Sequence, residues 1–111
     1  MAGTFEIKKA KNGEYGFVLK AGNGEVILQS ELYKTKASAL KGIASVQKNS
    51  GDEARFVKKV AKNKKPFFVL RAGNNQVIGT SEMYETDKAR DNGIASVKKN
   101  GNSTKVKDLD A

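Results

Sequence analysis

The octapeptide GIASVQKN occupies residues 42–49, and it returns fifty-one residues later as GIASVKKN at residues 93–100. Residues 5–49 align with residues 56–100 without a gap, and 24 of these 45 positions are identical. The shared segments include FVLKAGNGEVI from Phe17 against FVLRAGNNQVI from Phe68. Self-similarity at a fixed period indicates a tandem repeat, so the fold is expected to consist of two copies of one unit.

Each copy has the pattern of a three-stranded meander. The pairs Asn12-Gly13 and Asn23-Gly24 separate short segments rich in aromatic and branched residues, and Asn-Gly is the preferred pair for a tight hairpin turn. The second copy has Asn74-Asn75 at the later turn, where asparagine also tolerates a positive φ. Alternation of apolar and other residues along the middle segment predicts a sheet with one apolar face.

A helix is predicted after each meander. Thr35 and Thr86 stand where amino-terminal caps are expected. In the first helix one apolar stripe is predicted to face the core, and it consists of Ala39, Leu40, Ile43 and Val46. The second helix has Arg90 and Asp91 in place of the first two of these residues, so its first turn is expected to project past the sheet.

Glycines inside and after the helices carry a further prediction. Gly42 and Gly93 interrupt the helices at a cost of about 1 kcal/mol each relative to alanine. They are expected to mark a close approach, either between the helices or between helix and sheet, and the alternative is a ligand contact. Gly101 is expected to end the second helix in a left-handed conformation.

Two repeats are expected to share one core. A unit of about 45 residues buries too little surface to be stable alone, and the chain has neither cysteine nor histidine to supply a disulfide or metal site. The segment from Ala54 follows the first helix as the segment from Thr104 follows the second, which predicts a further strand after each helix. We therefore expect one α+β domain over residues 1–111, with repeats at 5–49 and 56–100 and a closing strand near 104–109. The repeats are expected to form one antiparallel sheet about a pseudo-twofold axis, with both helices on one face.

The repeated turn, the SExY segment and the GIASVxKN helix end occur twice in the same order and at the same spacing. In these motifs the chain resembles the YegP-like family of small bacterial proteins of unknown function, in its tandem-repeat form. The resemblance implies two β-β-β-α-β units that form a single sheet and exchange their carboxy-terminal strands. It implies no activity.

Composition argues against catalysis. Without histidine or cysteine the chain lacks the usual general base near neutral pH and the usual thiolate nucleophile, and no paired carboxylates are visible. We therefore expect no enzyme activity, cofactor or metal. No stretch approaches the roughly 18 apolar residues of a membrane span, and the amino terminus lacks a signal-peptide pattern, so a cytoplasmic protein is expected.

The polar residues of the SExY segment occur in both repeats, and they are a candidate site for a ligand or partner. A twofold arrangement would display two equivalent copies of it. The alternative, which we favour, is structural: serine and glutamate bond the backbone, and tyrosine packs at the edge of the core. The group consists of Ser30, Glu31, Tyr33, Ser81, Glu82 and Tyr84.

A second candidate is a basic segment within a chain of formal net charge +9. Its cations could contact a polyanion, although many basic faces only keep a protein in solution. The residues are Arg55, Lys58, Lys59, Lys62, Lys64 and Lys65.

These observations favour a small binding or structural protein. A weak, sequence-tolerant nucleic-acid-binding module that uses residues 55–65 is the alternative. Nucleic acid and acidic protein are the partners considered. A monomer with internal pseudo-symmetry is expected in preference to an obligate oligomer.

Overall fold

The computed structural model describes residues 3–109. Along this part of the chain each repeat contributes three strands and a helix, and a short strand follows the second helix. The elements are β1 (Thr4–Lys9), β2 (Tyr15–Lys20), β3 (Val26–Gln29), α1 (Lys36–Asn49), a 3₁₀ turn (Glu53–Arg55), β4 (Phe56–Val60), β5 (Pro66–Arg71), β6 (Val77–Thr80), α2 (Asp87–Asn100) and β7 (Val106–Asp108).

The predicted turn and cap residues have the expected geometry. Gly13, Gly24 and Asn75 have φ values of 85°, 87° and 70°. Thr35 and Thr86 each accept a hydrogen bond from the backbone N–H three residues later, which caps the two helices. Local sequence therefore sets where the strands turn and where the helices begin.

The strands form one sheet in the order β4-β5-β6-β3-β2-β1-β7. The two repeats meet at β3 and β6, which run antiparallel with Gln29 opposite Thr80. These two residues occupy the same position of the aligned repeats. A pseudo-twofold axis therefore passes between β3 and β6.

The strand that follows each helix lies in the other half of the sheet. β4 follows α1 and pairs with β5, while β7 follows α2 and pairs with β1. The expected exchange of strands is confirmed, as is the α+β class. The sheet is mixed, however, and not wholly antiparallel, because β7 runs parallel to β1. The chain leaving α2 reaches the outer edge of β1 in that direction, with the Phe5 N–H bonded to the Lys105 carbonyl at 2.9 Å.

One hydrophobic core joins the two repeats. It draws apolar side chains from strands β1 to β6 and from both helices, and each helix contacts strands of both repeats. At its centre Phe5, Leu19, Phe68 and Leu70 are fully buried. The apolar side chains of both repeats are therefore buried in a single shared core.

Two predictions about the helices are wrong. Leu40 is 44% exposed, and Gly42 faces the core in its place beside Ala39, Ile43 and Val46. The first turn of α2 does not project past the sheet, because Arg90 is only 9% exposed. Its guanidinium lies 3.1 Å from Asp91 and 3.4 Å from Asp87, which compensates the buried charge.

Gly101 also differs from expectation, since its φ of −69° is right-handed and not left-handed. A Cβ on Gly101 would overlap the side chain of Ser50, the equivalent residue after α1. The glycine therefore allows the two helix ends to approach each other. Leu28 and Gly79 show the same asymmetry in the sheet, where a Cβ on Gly79 would lie 2.6 Å from Leu28. At both places one residue of an equivalent pair is glycine, which leaves room for the side chain of the other.

Candidate functional site

Ser30 and Ser81 connect the middle strand of each repeat to the segment that leaves the third strand. The Ser30 hydroxyl accepts a hydrogen bond from the Phe17 N–H at 2.9 Å and donates one to the Glu31 carbonyl at 2.7 Å. Ser81 makes the equivalent bonds to Phe68 and Glu82 at 3.0 and 2.7 Å. Both hydroxyls therefore satisfy backbone groups at the end of a strand pair.

The tyrosines of the same segments stack on core rings. Tyr33 lies parallel to Phe17 with ring centroids 6.3 Å apart and an interplanar angle of 11°. Tyr84 lies on Phe68 at the same distance and at 8°. These stacked pairs extend the core to the edge of the sheet.

The helix glycines make room for these tyrosines. A Cβ on Gly42 would lie 2.5 Å from the Tyr33 hydroxyl oxygen and 2.9 Å from a carbon of the Phe17 ring. Gly93 stands in the same relation to Tyr84. The close approach predicted at both glycines is confirmed, and it brings a helix against a tyrosine from the sheet layer.

The glutamates of the repeated SExY segment, Glu31 and Glu82, are exposed, and their charges affect the pKa of the neighbouring tyrosine hydroxyls. Burial, and secondly the Glu31 charge, raises the pKa of Tyr33. Burial raises the pKa of Tyr84 as well, with smaller effects from Glu82 and Glu25. Serine and tyrosine thus have structural partners in each copy, whereas both glutamates face solvent.

Three of the six cations of the basic segment are paired with carboxylates. Lys58 lies 3.2 Å from Asp91, and its hydrogen bond is the main cause of the lowered pKa of that carboxyl. Lys65 lies 2.9 Å from Glu85, and Arg55 lies 3.6 Å from Asp52. Within residues 3–109 three cations of the segment form no ion pair: Lys59, Lys62 and Lys64.

A third feature, a groove that the sequence did not predict, lies on the sheet face opposite the helices. We call this surface the open face. Phe17 and Leu19 point into the core, so Gly16, Val18 and Lys20 of the same strand lie on the open face. The groove has a volume of about 320 Å³, near the lower end of the range for ligand pockets. Around Gly16 it is bordered chiefly by Glu6, Lys8, Val18, Val26, Leu32 and Leu109.

One difference between the repeats could have drawn attention to this groove. Position 16 of the first repeat is glycine, whereas the aligned position of the second is Phe67. The middle strand therefore has a gap in its row of open-face side chains in one repeat and a large ring in the other. A glycine in a strand interior often marks a close approach of another group.

Between Gly3 and Leu109 no three or more carboxylates converge in a way that could hold a metal ion. In the same part of the chain neither helix has the length and hydropathy needed to cross a membrane.

Comparison with known proteins gives the same repeat organisation. Residues 10–56 and 61–108 each match the model of a domain of unknown function, DUF1508. The first matched unit runs from the turn before β2 to the first residue of β4. The second runs from the turn before β5 to the end of β7, so the second match includes the exchanged strand.

Relatives match over nearly their full length. A UPF0339 protein of Acinetobacter baylyi is 64% identical over 109 residues, 98% of each chain. The solution NMR structure of a UPF0339 protein from Shewanella oneidensis superposes with a TM-score of 0.93 at 59% identity, covering 99% of this chain and 93% of that one. The NMR structure of yegP from Escherichia coli, a protein of unknown function, gives 0.94 at 57% identity, covering 100% and 96%. The predicted resemblance is thus confirmed, and the chain belongs to the DUF1508 family as a tandem-repeat relative of the YegP proteins.

Proposed function

We propose that the protein is a small binding module without catalytic machinery, and that it holds an acidic partner protein at the open-face groove. One observation carries this proposal. Val26, Leu32 and Leu109 are 40%, 52% and 47% exposed, and all three border the groove. Clustered apolar side chains exposed to water are typical of contact sites, because covering them is the main source of association free energy.

Charge at the groove favours an acidic partner. Lys8 and Lys20 lie on its border, and Lys8 forms no ion pair within the described part of the chain. Lys20 pairs with Glu6 at 3.1 Å and is partly neutralised. The net positive charge of the chain adds long-range attraction for an acidic protein.

Nucleic acid is the weaker candidate. Three of the six cations between Arg55 and Lys65 are engaged by carboxylates, which lowers the charge available to phosphates. The aromatic residue that lines the groove, Phe17, has its side chain buried in the core, so it offers no exposed ring on which a base could stack. The apolar groove therefore supports a protein partner better than a polyanion.

The same proposal includes one domain over residues 1–111 that acts as a cytoplasmic monomer. The two repeats already cover each other's apolar side within one chain, so a second copy is not needed to complete the core. The chain has no cysteine, so its folding does not require an oxidising compartment.

Affinity capture from an extract of the native cells tests the proposal. Wild-type protein and the Gly16→Phe variant are immobilised in parallel, with and without nuclease, and retained proteins are quantified by mass spectrometry. We expect acidic proteins that the wild type retains and the variant loses, unaffected by nuclease. NMR titration of a purified candidate should then shift the amides of groove residues. Equal retention by both baits, or retention that nuclease abolishes, contradicts the proposal.

A further inference from the structure

Resting on the binding function proposed above, we infer that the groove receives the phenyl ring of a phenylalanine carried by an acidic segment of the partner. At one position of this face the two repeats differ in a phenyl ring, since Gly16 of the first repeat aligns with Phe67 of the second.

In the second repeat a phenyl ring of the chain itself stands at the equivalent place. Phe68 and Leu70 point into the core, so Phe67 points to the open face, as Gly16 does in the first repeat. Across the neighbouring strand Phe67 is opposite Lys59, and Gly16 is opposite Lys8. Lysine occupies both positions, while the ring is present in the second repeat and absent from the first. The next open-face pair also differs, because Glu6 is opposite Val18 where Val57 is opposite Val69.

Burial of the neighbouring valine agrees with this comparison. Val69, two residues beyond Phe67 on the same face, is only 5% exposed. Its equivalent Val18 is less buried and borders the groove. Val69 has the apolar residues Phe67 and Val57 beside it on this face, whereas around Gly16 the nearest covering side chain is Leu32, which is 52% exposed.

The charged residues around the groove favour acidic residues beside the bound phenylalanine. Lys8 lies directly opposite Gly16, so its ammonium group can contact a bound ring and a carboxylate beside it. Lys20 and Glu6 occupy the adjacent open-face positions as an ion pair. A phenylalanine with acidic neighbours fits this arrangement, whereas a phenylalanine with basic neighbours would meet repulsion from Lys8.

The test uses the full-length ¹⁵N-labelled protein and capped pentapeptides followed by NMR titration. The probe has a central phenylalanine with two acidic residues on each side. Matched peptides replace the phenylalanine by alanine or leucine, or replace the acids by their amides. We expect one site, with shifts at groove amides. The alanine peptide should bind at least about tenfold more weakly, because burial of a phenyl ring is worth more than the roughly 1.4 kcal/mol that corresponds to a factor of ten.

Three variants make the test specific. Gly16→Phe should fill the groove and abolish binding. Its Cβ would lie 3.2 Å from the flexible Leu32 side chain and in ordinary contact with the Ser30 hydroxyl and the Glu31 carbonyl, at 3.7 and 3.8 Å. Phe67→Gly should open the equivalent surface and raise the stoichiometry from one peptide to two. Lys8→Glu should weaken binding severalfold and reduce its dependence on salt. Thermal unfolding of each variant identifies any that fails to fold, and Lys8→Glu keeps the test informative if Gly16→Phe is such a case.

Each outcome has one meaning. Binding of the leucine peptide at the groove with equal or higher affinity than the phenylalanine peptide overturns the inference and leaves the proposed function intact. Retention of affinity in Gly16→Phe, or no gain of a site in folded Phe67→Gly, also overturns it. If no peptide shifts any groove amide, and captured proteins do not either, the inference and the proposed function both fail.

Discussion

Exchanging Leu28 and Gly79 should cost much less stability than the two single substitutions together, although each single substitution should destabilise the fold. The two residues are equivalent in the aligned repeats, and they meet beside the pseudo-twofold axis between β3 and β6. A Cβ on Gly79 would lie 2.6 Å from both Cγ and one Cδ of Leu28, so only one of the two positions has room for a leucine. Because a twofold axis makes the two positions equivalent, the leucine should fit at either of them.

The expected magnitudes follow from the packing. Leu28 is 1% exposed, and Leu28→Gly should cost about 3–5 kcal/mol through the lost burial and the cavity. Gly79→Leu should cost about 2–3 kcal/mol because the core has no space for a second leucine. The double variant conserves volume and should lose only about 1–2 kcal/mol, far less than the sum of the single effects.

Urea unfolding followed by far-ultraviolet circular dichroism measures these free energies. The control is the pair Leu19→Ala and Leu70→Ala, whose strands are separated by β3 and β6, so their costs should add. A Leu28/Gly79 exchange that loses as much stability as the two single variants together would refute the placement of these residues at a pseudo-twofold axis.

Three further predictions concern packing, pH and charge. Gly42→Leu should lower the melting temperature by several degrees, because any Cβ there meets the hydroxyl of Tyr33; an unchanged melting temperature in differential scanning calorimetry would argue against that packing. Burial raises the pKa of Tyr33 and Tyr84 in the fold, so the unfolded chain releases these protons at lower pH than the folded chain. The free energy of unfolding should therefore fall as the pH rises through the ordinary tyrosine pKa near 10, and the tyrosines should not affect it below that pH. Ultraviolet titration that finds ordinary pKa values for both tyrosines would count against their burial. Binding of labelled oligonucleotides at two salt concentrations tests the basic segment, whose unpaired cations are Lys59, Lys62 and Lys64. We expect at most weak binding that high salt removes, and neutralising these three lysines should change the affinity little. A large loss of affinity in that variant would favour the nucleic-acid alternative.

Much of the fold could be predicted because its decisive signals are local or repeated. The turns at Gly13 and Gly24 require a positive φ, which the Asn-Gly pairs announce in the sequence. Thr35 and Thr86 cap the helices through bonds to residues three positions away. The spacing of the repeat then implies a shared core, since neither copy is large enough alone.

Details that depend on packing at the axis were not predictable in this way. The direction of β7 depends on where α2 ends relative to β1, which no local pattern encodes. Gly101 resembles a helix stop in sequence, but its role is to accommodate Ser50 from the other repeat. Arg90 looks unsuited to a buried position until its contacts with Asp87 and Asp91 are known.

The candidate site was missed for a different reason. The polar residues that stood out in sequence, such as Ser30 and Tyr33, have structural partners, while the groove is formed by a missing side chain at Gly16. A glycine in one strand does not by itself indicate a groove. The missing side chain at Gly16 is recognised only by comparison with Phe67 at the same position of the other repeat.

Separating the two repeats tests the shared core most directly. The chain is cut between Gly51 and Ala54, the fragments are purified apart, and thermal unfolding is followed by circular dichroism at concentrations where each is monomeric. Because each helix packs on strands of both repeats and β7 pairs with β1, neither fragment should unfold cooperatively alone, and mixing them should restore a single cooperative transition. A cooperative transition in either isolated, monomeric fragment would contradict the shared core.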